Sequence, residues 1–215
     1  MKIEAIPSFA AGVYAFIARK SGLIRDIRAR VAEEVCAVAS AGKILDVGTG
    51  PGYLPLEIAR KASALEVVGI DLSPGMVALA RKNTEKSGLT QRVSFQVANA
   101  SSLPFEDKTF DLVVSTLSLH HWSTPAADFK EICRVLKDNG TVYIYDFRKD
   151  ISESIRQEVR RKYGWFLGHV FIRIARLHSW KTRQDAEDFL AALDVKLSKK
   201  AVQEQGAIIR IELKK

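Results

Sequence analysis

The feature that most constrains the fold is an alternation of strand-like and helix-like segments between residues 43 and 147. Five short apolar runs are typical of buried strands: KILDV, LEVVGID, RVSFQVA, FDLVVS and TVYIYDF. Amphipathic segments lie between them. Ser73 and Pro74 open one helix and Gly88 ends it, and the helix of residues 125–140 is predicted to end in Asn-Gly. This order predicts an α/β, Rossmann-like fold with a mostly parallel sheet and helices on both faces.

The two flanks of this core follow other patterns. Residues 1–40 predict helices interrupted near Ser21-Gly22, and residues 151–181 predict one or two amphipathic helices. Residues 182–215 predict a helix with a capping box of Thr182 and Asp185, followed by an antiparallel strand pair, DVKLSKKAV and AIIRIELKK. The 215 residues suit one domain.

The cysteines and the apolar pattern exclude several classes of protein. Cys36 and Cys133 have no second cysteine or histidine at ligand spacing, which argues against a disulfide framework or a metal site and favours a reducing cytoplasm. The first residues lack a signal-peptide pattern, and no apolar run is long enough to span a membrane. We therefore expect a cytoplasmic protein.

Positive charge is concentrated at the two flanks. The chain has a net charge of +8, of which residues 1–30 contribute +4 and residues 151–183 contribute +6, so the rest carries −2. Such patches predict an acidic partner, whether a substrate, a membrane surface or a nucleic acid.

A glycine cluster follows the first predicted strand, where doubly wound sheets bind ligands. Gly48 and Gly50 match the dinucleotide pattern G-x-G-x-x-G, but Tyr53 holds its third glycine position and Gly52 comes one residue early. Pro51 also removes a backbone N–H that a pyrophosphate would need. No Gly-Lys-Ser/Thr follows, which excludes a P-loop. The loop therefore indicates a nucleotide-like ligand, but it lacks the features that bind a phosphate group.

The stretch D-V-G-T-G-P-G, from Asp46 to Gly52, resembles the first motif of class I S-adenosylmethionine-dependent methyltransferases. The resemblance implies a seven-stranded sheet in the order 3-2-1-4-5-7-6. It also implies that the loop, including Thr49, approaches the methionine end of the cofactor. Asp71 closes the second strand, where the family's acid holds the ribose hydroxyls. Asp46 either serves the cofactor or caps the loop through backbone N–H groups.

The stretch from Gln96 to Trp122 resembles methyltransferases of type 11, which include the ubiquinone/menaquinone-biosynthesis C-methyltransferases. Many relatives carry Asp-Ala where this chain has Asn99-Ala100, and either side chain offers an oxygen acceptor for the adenine amino group. The resemblance covers residues 43–147. It further implies contacts from three residues: Leu72 beside the adenine, Met76 near the adenine unless it only packs in the core, and Thr116 near the amino-acid tail.

His120 and His121 follow the fourth predicted strand, which would face the reactive methyl group. An imidazole there could act as a general base, His120 before His121. The alternative is that both residues shape the pocket or pack under the next helix.

The basic segment 151–181 has three interpretations. It could be a surface helix with a solvated basic face, a lid over the substrate, or a shallow contact with a membrane. One face of the predicted helix carries apolar residues: Leu167, Val170, Phe171, Ile174 and Leu177.

The sequence thus predicts one methyltransferase domain in residues 1–215. Its parts are a helical cover in residues 1–40, a cofactor-binding core in residues 43–147, a lid in residues 151–181 and a closing helix and strand pair in residues 182–215. Its cofactor would be S-adenosyl-L-methionine, its product S-adenosyl-L-homocysteine, and its acceptor a small acidic or lipophilic molecule, without a metal. The alternatives are an RNA methyltransferase or RNA-binding protein, an NAD-linked oxidoreductase and a catalytically silent cofactor sensor; the oligomeric state is left open.

Overall fold

The computed structural model describes residues 7–164 and 182–215. Seven strands form a sheet in the order β3-β2-β1-β4-β5-β7-β6, as predicted. The strands are β1 Ala41–Val47, β2 Ala64–Asp71, β3 Val93–Val97, β4 Phe110–Thr116, β5 Leu136–Phe147, β6 Lys199–Gln205 and β7 Ile208–Lys214. The first five are parallel, and β7 runs antiparallel to both β5 and β6.

Helices cover both faces of the sheet. They are α1 Ala11–Lys20, α2 Gly22–Val38, α3 Tyr53–Lys61, α4 Pro74–Ser87, α5 Pro125–Val135, α6 Glu153–Tyr163 and α7 Arg183–Ala192, with short 3-10 turns at Ser8–Ala10 and Leu119–His121. The predicted caps are confirmed: Gly88 ends α4 in a left-handed conformation, and Thr182 and Asp185 form the capping box of α7. The predicted break between α1 and α2 is also confirmed, since the Ser21 side chain caps α2.

Two apolar cores lie on opposite faces of the sheet. Ile44 packs with residues of α2, α3 and α4, whereas its neighbour Leu45 packs with residues of α5 and α7. Successive strand residues point to opposite faces, so a strand buried on both faces needs the continuous apolar run seen in KILDV. The parallel strands are therefore held from both sides.

The chain changes direction between β1 and β4. From β1 it continues outward through β2 to β3, then returns so that β4 pairs with the other side of β1. Loops that leave β1 and β4 go to opposite faces, which opens a crevice at the carboxyl ends of these strands. This position is where the candidate site lies.

Two predicted element boundaries are wrong. The helix expected to end at Asn139-Gly140 ends at Val135, and residues 136–140 already belong to β5, whose register against β4 shifts between Phe110 and Leu112. Asn139 has a φ of 67°, so the Asn-Gly pair marks an irregularity in a strand and not a helix end. The sixth strand begins at Lys199 instead of Asp194, since Val195 and Leu197 pack against the core outside the β6–β7 ladder.

The predicted lid falls partly outside the described residues. Residues 151–164 include α6, whose Tyr163 hydroxyl donates to Asp26 of α2 at 2.7 Å. Residues 165–181, with the predicted apolar face from Leu167 to Leu177, lie outside the described part of the chain. Among residues 7–164 and 182–215, no helix has the length and apolarity needed to cross a bilayer.

Candidate functional site

The glycine loop after β1 folds over the end of β2. The backbone N–H groups of Gly48 and Thr49 donate to the Ile70 carbonyl at 2.9 and 2.8 Å. Gly48 has a φ of 75°, and a Cβ there would lie 2.4 Å from the Cβ of Ser118. Because the loop passes this close to the segment after β4, only glycine fits.

Gly52 provides the close helix–sheet packing that the dinucleotide pattern assigns to its third glycine. A Cβ at Gly52 would lie 2.7 Å from Phe95 Cζ and 2.9 Å from Ala80 Cβ. Tyr53 begins α3 and turns the other way: its hydroxyl donates to the Ala15 carbonyl at 3.4 Å, and the Arg28 guanidinium lies over its ring. The tyrosine therefore does not block the crevice.

Asp71, the last residue of β2, ties the loop to the next helix. One carboxylate oxygen accepts from Gly50 N–H at 2.8 Å, and the other accepts from Ser73 N–H at 2.9 Å. Burial raises the pKa of Asp71, and these two hydrogen bonds partly oppose the shift. The side chain still lines the crevice, so it can accept hydrogen bonds from a ligand.

A cavity of about 290 Å³ occupies the crevice, at the lower end of the range for small-molecule sites. Its strand-end wall consists of lining residues at the ends of β1, β2 and β3 and in the segments that follow them, which include Met76 of α4: Val47, Gly48, Gly50, Ile70, Asp71, Leu72, Met76, Ala98, Asn99, Ala100 and Ser101. Its β4 wall consists of lining residues after β4: Leu117, Ser118, His121, Trp122, Ser123, Thr124 and Asp128. Tyr14 of α1 closes the cavity and forms the α1 wall.

Seven of the predicted cofactor-binding residues line this cavity, and four do not. The lining residues are Gly48, Gly50, Asp71, Leu72, Met76, Asn99 and Ala100. The four that lie behind the wall are Asp46, Thr49, Gly52 and Thr116. Met76 is fully buried and also lines the cavity, so its two interpretations are compatible. Asn99 holds its own turn, because its side-chain oxygen accepts from Ser101 N–H at 3.1 Å.

Asp46 lies buried beneath the loop. Burial raises its pKa from 3.8 to about 7; the adjacent Thr49 hydroxyl opposes the shift, and the charge of Asp71 adds to it. The position favours support of the loop over direct contact with a ligand. Thr116 Oγ1 is likewise buried, with no hydrogen-bond partner among the described residues.

The cavity is acidic. Asp71 and Asp128 line it, and among the described residues no lysine or arginine does. A phosphate group would find no counter-charge on these walls, whereas a cation such as a sulfonium would be stabilised. The charge of the walls agrees with the weak phosphate grip expected of the loop.

Tyr14, Ser118 and Trp122 line the cavity but were not predicted as site residues from the sequence. Burial, together with the carboxylates of Asp71 and Asp146, raises the pKa of Tyr14 to about 12, so its hydroxyl stays a donor at neutral pH. A serine–tryptophan pair closes the opposite side: Trp122 Nε1 donates to Ser118 Oγ at 3.2 Å. Tyr14 lies outside every motif, and only tertiary packing brings it to the cavity; Ser118 and Trp122 lie within the stretch from Gln96 to Trp122, but nothing in that stretch singles them out.

The two histidines have different positions. His121 lines the cavity, whereas His120 is mostly buried beside it, with the two ring centroids 4.1 Å apart. His120 Nδ1 lies 2.9 Å from a carboxylate oxygen of Asp146 at the end of β5, and its backbone N–H donates to the other oxygen at 2.8 Å. Since a carboxylate only accepts, Nδ1 carries the proton and Nε2 is the nitrogen that can take one up.

Comparisons with known proteins identify a domain in the middle of the chain. Residues 45–144 match the family model described as a methyltransferase domain. The chain is 36% identical over 149 residues to the ubiquinone/menaquinone biosynthesis C-methyltransferase UbiE of Geotalea uraniireducens, covering 68% of this chain and 63% of that protein. It is 36% identical over 120 residues to UbiE of Geobacter sulfurreducens, covering 55% and 47%. The matches thus span about half to less than two thirds of these relatives' length.

Solved structures share the fold. A putative S-adenosyl-L-methionine-dependent methyltransferase of Methanococcus maripaludis is similar with a TM-score of 0.76 and 26% identity, over 96% of this chain and 92% of that one. An Aquifex aeolicus SAM-dependent methyltransferase is similar in fold, with a TM-score of 0.64 and 20% identity over 85% and 88%. The glycine loop and Asp71 at the end of β2 are the features expected from these similarities. Residues 45–144 thus match a methyltransferase domain, and the chain as a whole has the fold of solved S-adenosylmethionine-dependent methyltransferases.

Proposed function

We propose that this chain transfers a methyl group from S-adenosylmethionine to a lipophilic small-molecule acceptor. The observation that carries the proposal is the acidic cavity at the ends of β1 and β4, walled by the glycine loop and Asp71. When bound, the cofactor supplies a methyl group on a sulfonium that is already a good leaving group. The chain's own task is to align donor and acceptor and to exclude water.

The strand-end wall would hold the cofactor. Gly48 and Gly50 let the amino-acid end approach the backbone, and Asp71 would accept hydrogen bonds from the ribose hydroxyls. Leu72 and Met76 would flank the adenine, while Asn99 and Ala100 would meet its edge. Asp46, Thr49, Gly52 and Thr116 would act from behind, by holding the loop and the end of β4 in place.

The acceptor class is argued from the remaining walls. Tyr14, Leu117 and Trp122 present aromatic and apolar surface, and the described lining offers no cation for an anionic acceptor. The curated relatives include proteins named demethylmenaquinone methyltransferase, from Porphyromonas gingivalis and Thermus thermophilus. Lipophilic quinone precursors are therefore the first acceptors to test.

The division of the chain belongs to the same proposal. It gives a helical cover in residues 1–40, a cofactor-binding core in residues 43–147, a lid in residues 151–181 and a closing segment in residues 182–215.

His120 is the proposed base. The carboxylate of Asp146 contacts Nδ1 and fixes the orientation of the ring, which leaves Nε2 to take up a proton from the acceptor. Its ring packs at a tilt against that of His121, which lines the cavity, so the proton would reach it at the edge of the acceptor space.

The test is incubation of the chain with S-adenosylmethionine labelled in the methyl group and with fractionated cell extract. We expect the label in molecules that partition into organic solvent, and loss of that label with the Asp71→Ala variant. Label only in water-soluble small molecules would contradict the acceptor class. Label in RNA would establish the RNA methyltransferase alternative.

A further inference from the structure

The first helix presents its large apolar side chains to solvent. Phe9, in the turn before α1, is 90% exposed, and Val13, Phe16 and Ile17 of α1 are 65%, 57% and 50% exposed. Residues spaced by three, four and seven positions share one face of a helix, so these side chains form a continuous stripe, here called the α1 stripe. Exposed apolar side chains that are contiguous mark an interaction surface, whereas scattered ones do not.

The opposite face of α1 packs against the rest of the protein. Ala11, Ala15 and Ala18 are buried, and Tyr14 reaches the cavity. The turn before the helix packs closely on α4, because a Cβ at Gly75 would lie 2.8 Å from Ser8 Cα. In a helix that only covers a core, the large apolar residues face inward and small or polar ones face outward. In α1 this arrangement is reversed.

The helix that carries the α1 stripe also forms a wall of the cavity. The Tyr14 ring, on the inner face of the same helix, comes within 3.8 Å of where a Cβ at Gly50 would be. Leu72 of the strand-end wall and Val97 at the end of β3 add exposed apolar surface at this edge of the sheet. A partner that covers the stripe would therefore stand beside the opening through which an acceptor enters.

Positive charge continues the α1 stripe. Arg19 and Lys20 form its last turn and are exposed, and Arg25 is exposed at the start of α2. Within the described residues, none of the three takes part in an ion pair. Lys20 falls on the same face as Val13, Phe16 and Ile17. An apolar face that continues into unpaired basic side chains matches the boundary between the acyl chains and the headgroups of an anionic bilayer.

We infer that the α1 stripe docks this chain on the surface of an anionic phospholipid bilayer, with Arg19, Lys20 and Arg25 at the headgroups. Membrane contact was one of three interpretations of residues 151–181, whereas the exposed apolar surface of the described residues points to α1. Docking would hold the cavity mouth at the lipid surface. Delivery of a lipophilic acceptor rests on the proposed function; the docking itself does not.

The test is co-sedimentation of the full chain with vesicles of phosphatidylglycerol and phosphatidylcholine. We expect binding that weakens in pure phosphatidylcholine vesicles and at high salt, because the headgroup attraction is screened. The double variant Phe9→Ser/Phe16→Ser should bind at least roughly tenfold more weakly. Since both side chains are exposed, thermal unfolding should be unchanged.

Val13 and Val38 provide a matched pair. Both are exposed valines on helices, but Val38 ends α2 at the edge of the sheet opposite the cavity, where it is 52% exposed. Val13→Ser should weaken vesicle binding by roughly threefold, and Val38→Ser should leave it unchanged. Equal effects would overturn the assignment to α1, as would wild-type chain that stays in the supernatant with every vesicle.

A second copy of the chain is the alternative occupant of the stripe. Light scattering without lipid should show no dimer that the Phe9→Ser/Phe16→Ser variant dissociates; such a dimer would overturn the docking proposal. Methyl transfer to acceptors in detergent separates this proposal from the function. Transfer without vesicle binding would reject docking alone, and vesicle binding without any transfer would reject the function alone.

Discussion

The strand-end wall and the α1 wall of the cavity differ in what holds their residues in place. In the strand-end wall, backbone hydrogen bonds and glycine contacts fix each position, as between Gly50, Asp71 and Ser73. The α1 wall depends on a helix that packs through alanines and exposes its large apolar side chains. The comparison teaches that the strand-end wall is encoded by local hydrogen bonds and glycine positions, whereas the α1 wall is set by packing between distant segments.

A methyl group added to each wall gives the largest contrast. Gly48→Ala would place a Cβ 2.4 Å from Ser118 Cβ at a positive φ, so we expect a loss of roughly 3 kcal/mol in the free energy of unfolding. The matched variant Gly12→Ala meets no atom within 4 Å and lies within α1, where alanine should stabilise by about 0.5–1 kcal/mol. Urea unfolding measures both. Similar values for the two variants would remove the distinction between the walls.

Removal of the Asp71 carboxylate tests the strand-end wall as a binding surface. We expect Asp71→Ala to lower the affinity for S-adenosylhomocysteine about 100-fold, because a charged acceptor for two hydroxyl groups is lost. Asp71→Asn keeps one oxygen acceptor and should lose about tenfold. Calorimetric titration gives the affinities, and circular dichroism checks the fold. Unchanged binding by the alanine variant would place the ribose elsewhere.

The buried Asp46 makes stability depend on pH. Its pKa is raised from 3.8 to about 7, so the folded chain keeps a proton that the unfolded chain releases above about pH 4. The free energy of unfolding should therefore fall between about pH 4 and pH 7, by at most roughly 1.4 kcal/mol per pH unit from this group. Asp46→Asn lacks a titrating proton, so its stability relative to the wild type should rise over this range. Urea unfolding at several pH values checks this; a constant difference between the two proteins would mean that Asp46 is ionised throughout.

The histidines test chemistry apart from binding. His120→Ala should lower turnover roughly tenfold or more if His120 is the base, with little change in the affinity for S-adenosylhomocysteine. His121→Ala is the matched control, since its ring lines the cavity beside His120, and we expect a smaller effect on turnover. Single-turnover rates measure both. An unaffected rate in His120→Ala would show that His120 is not the base and only shapes the pocket or packs under the next helix.

The smallest effect is expected at the α1 wall. Tyr14→Phe keeps the ring and removes a neutral hydroxyl, so the affinity for S-adenosylhomocysteine should change by roughly threefold or less. Calorimetry under the conditions used for Asp71→Ala makes the comparison direct. A loss as large as that of Asp71→Ala would show that the α1 wall contributes as much to cofactor binding as the strand-end wall does.

Local signals account for the parts of the molecule that the sequence predicted well. The sheet order, the break at Ser21-Gly22 and the helix caps follow from apolar periodicity, short-range hydrogen bonding and the family resemblance. Gly48, Asp71 and Asn99 line the cavity because each lies at or within two residues of the carboxyl end of a parallel strand, and such ends meet at one edge of the sheet. Their contact with the cofactor remains a prediction.

The parts that the sequence did not predict depend on distant partners. Tyr14 reaches the cavity because α1 packs against segments far along the chain, and no local pattern marks it. The Asn139-Gly140 pair is a local helix-end signal, yet pairing of β5 with β4 places it inside a strand. The reversed faces of α1 also become visible only when burial is known.

The central claim is that the acidic cavity at the ends of β1 and β4 binds a sulfonium nucleoside and not a phosphate-bearing dinucleotide. Calorimetric titration of the wild-type chain with S-adenosylmethionine and with NADH tests it most directly. The account predicts saturable one-to-one binding of S-adenosylmethionine, abolished or greatly weakened by Asp71→Ala, and no heat of binding with NADH. Binding of NADH that depends on Asp71, or S-adenosylmethionine binding that is indifferent to it, would contradict the account.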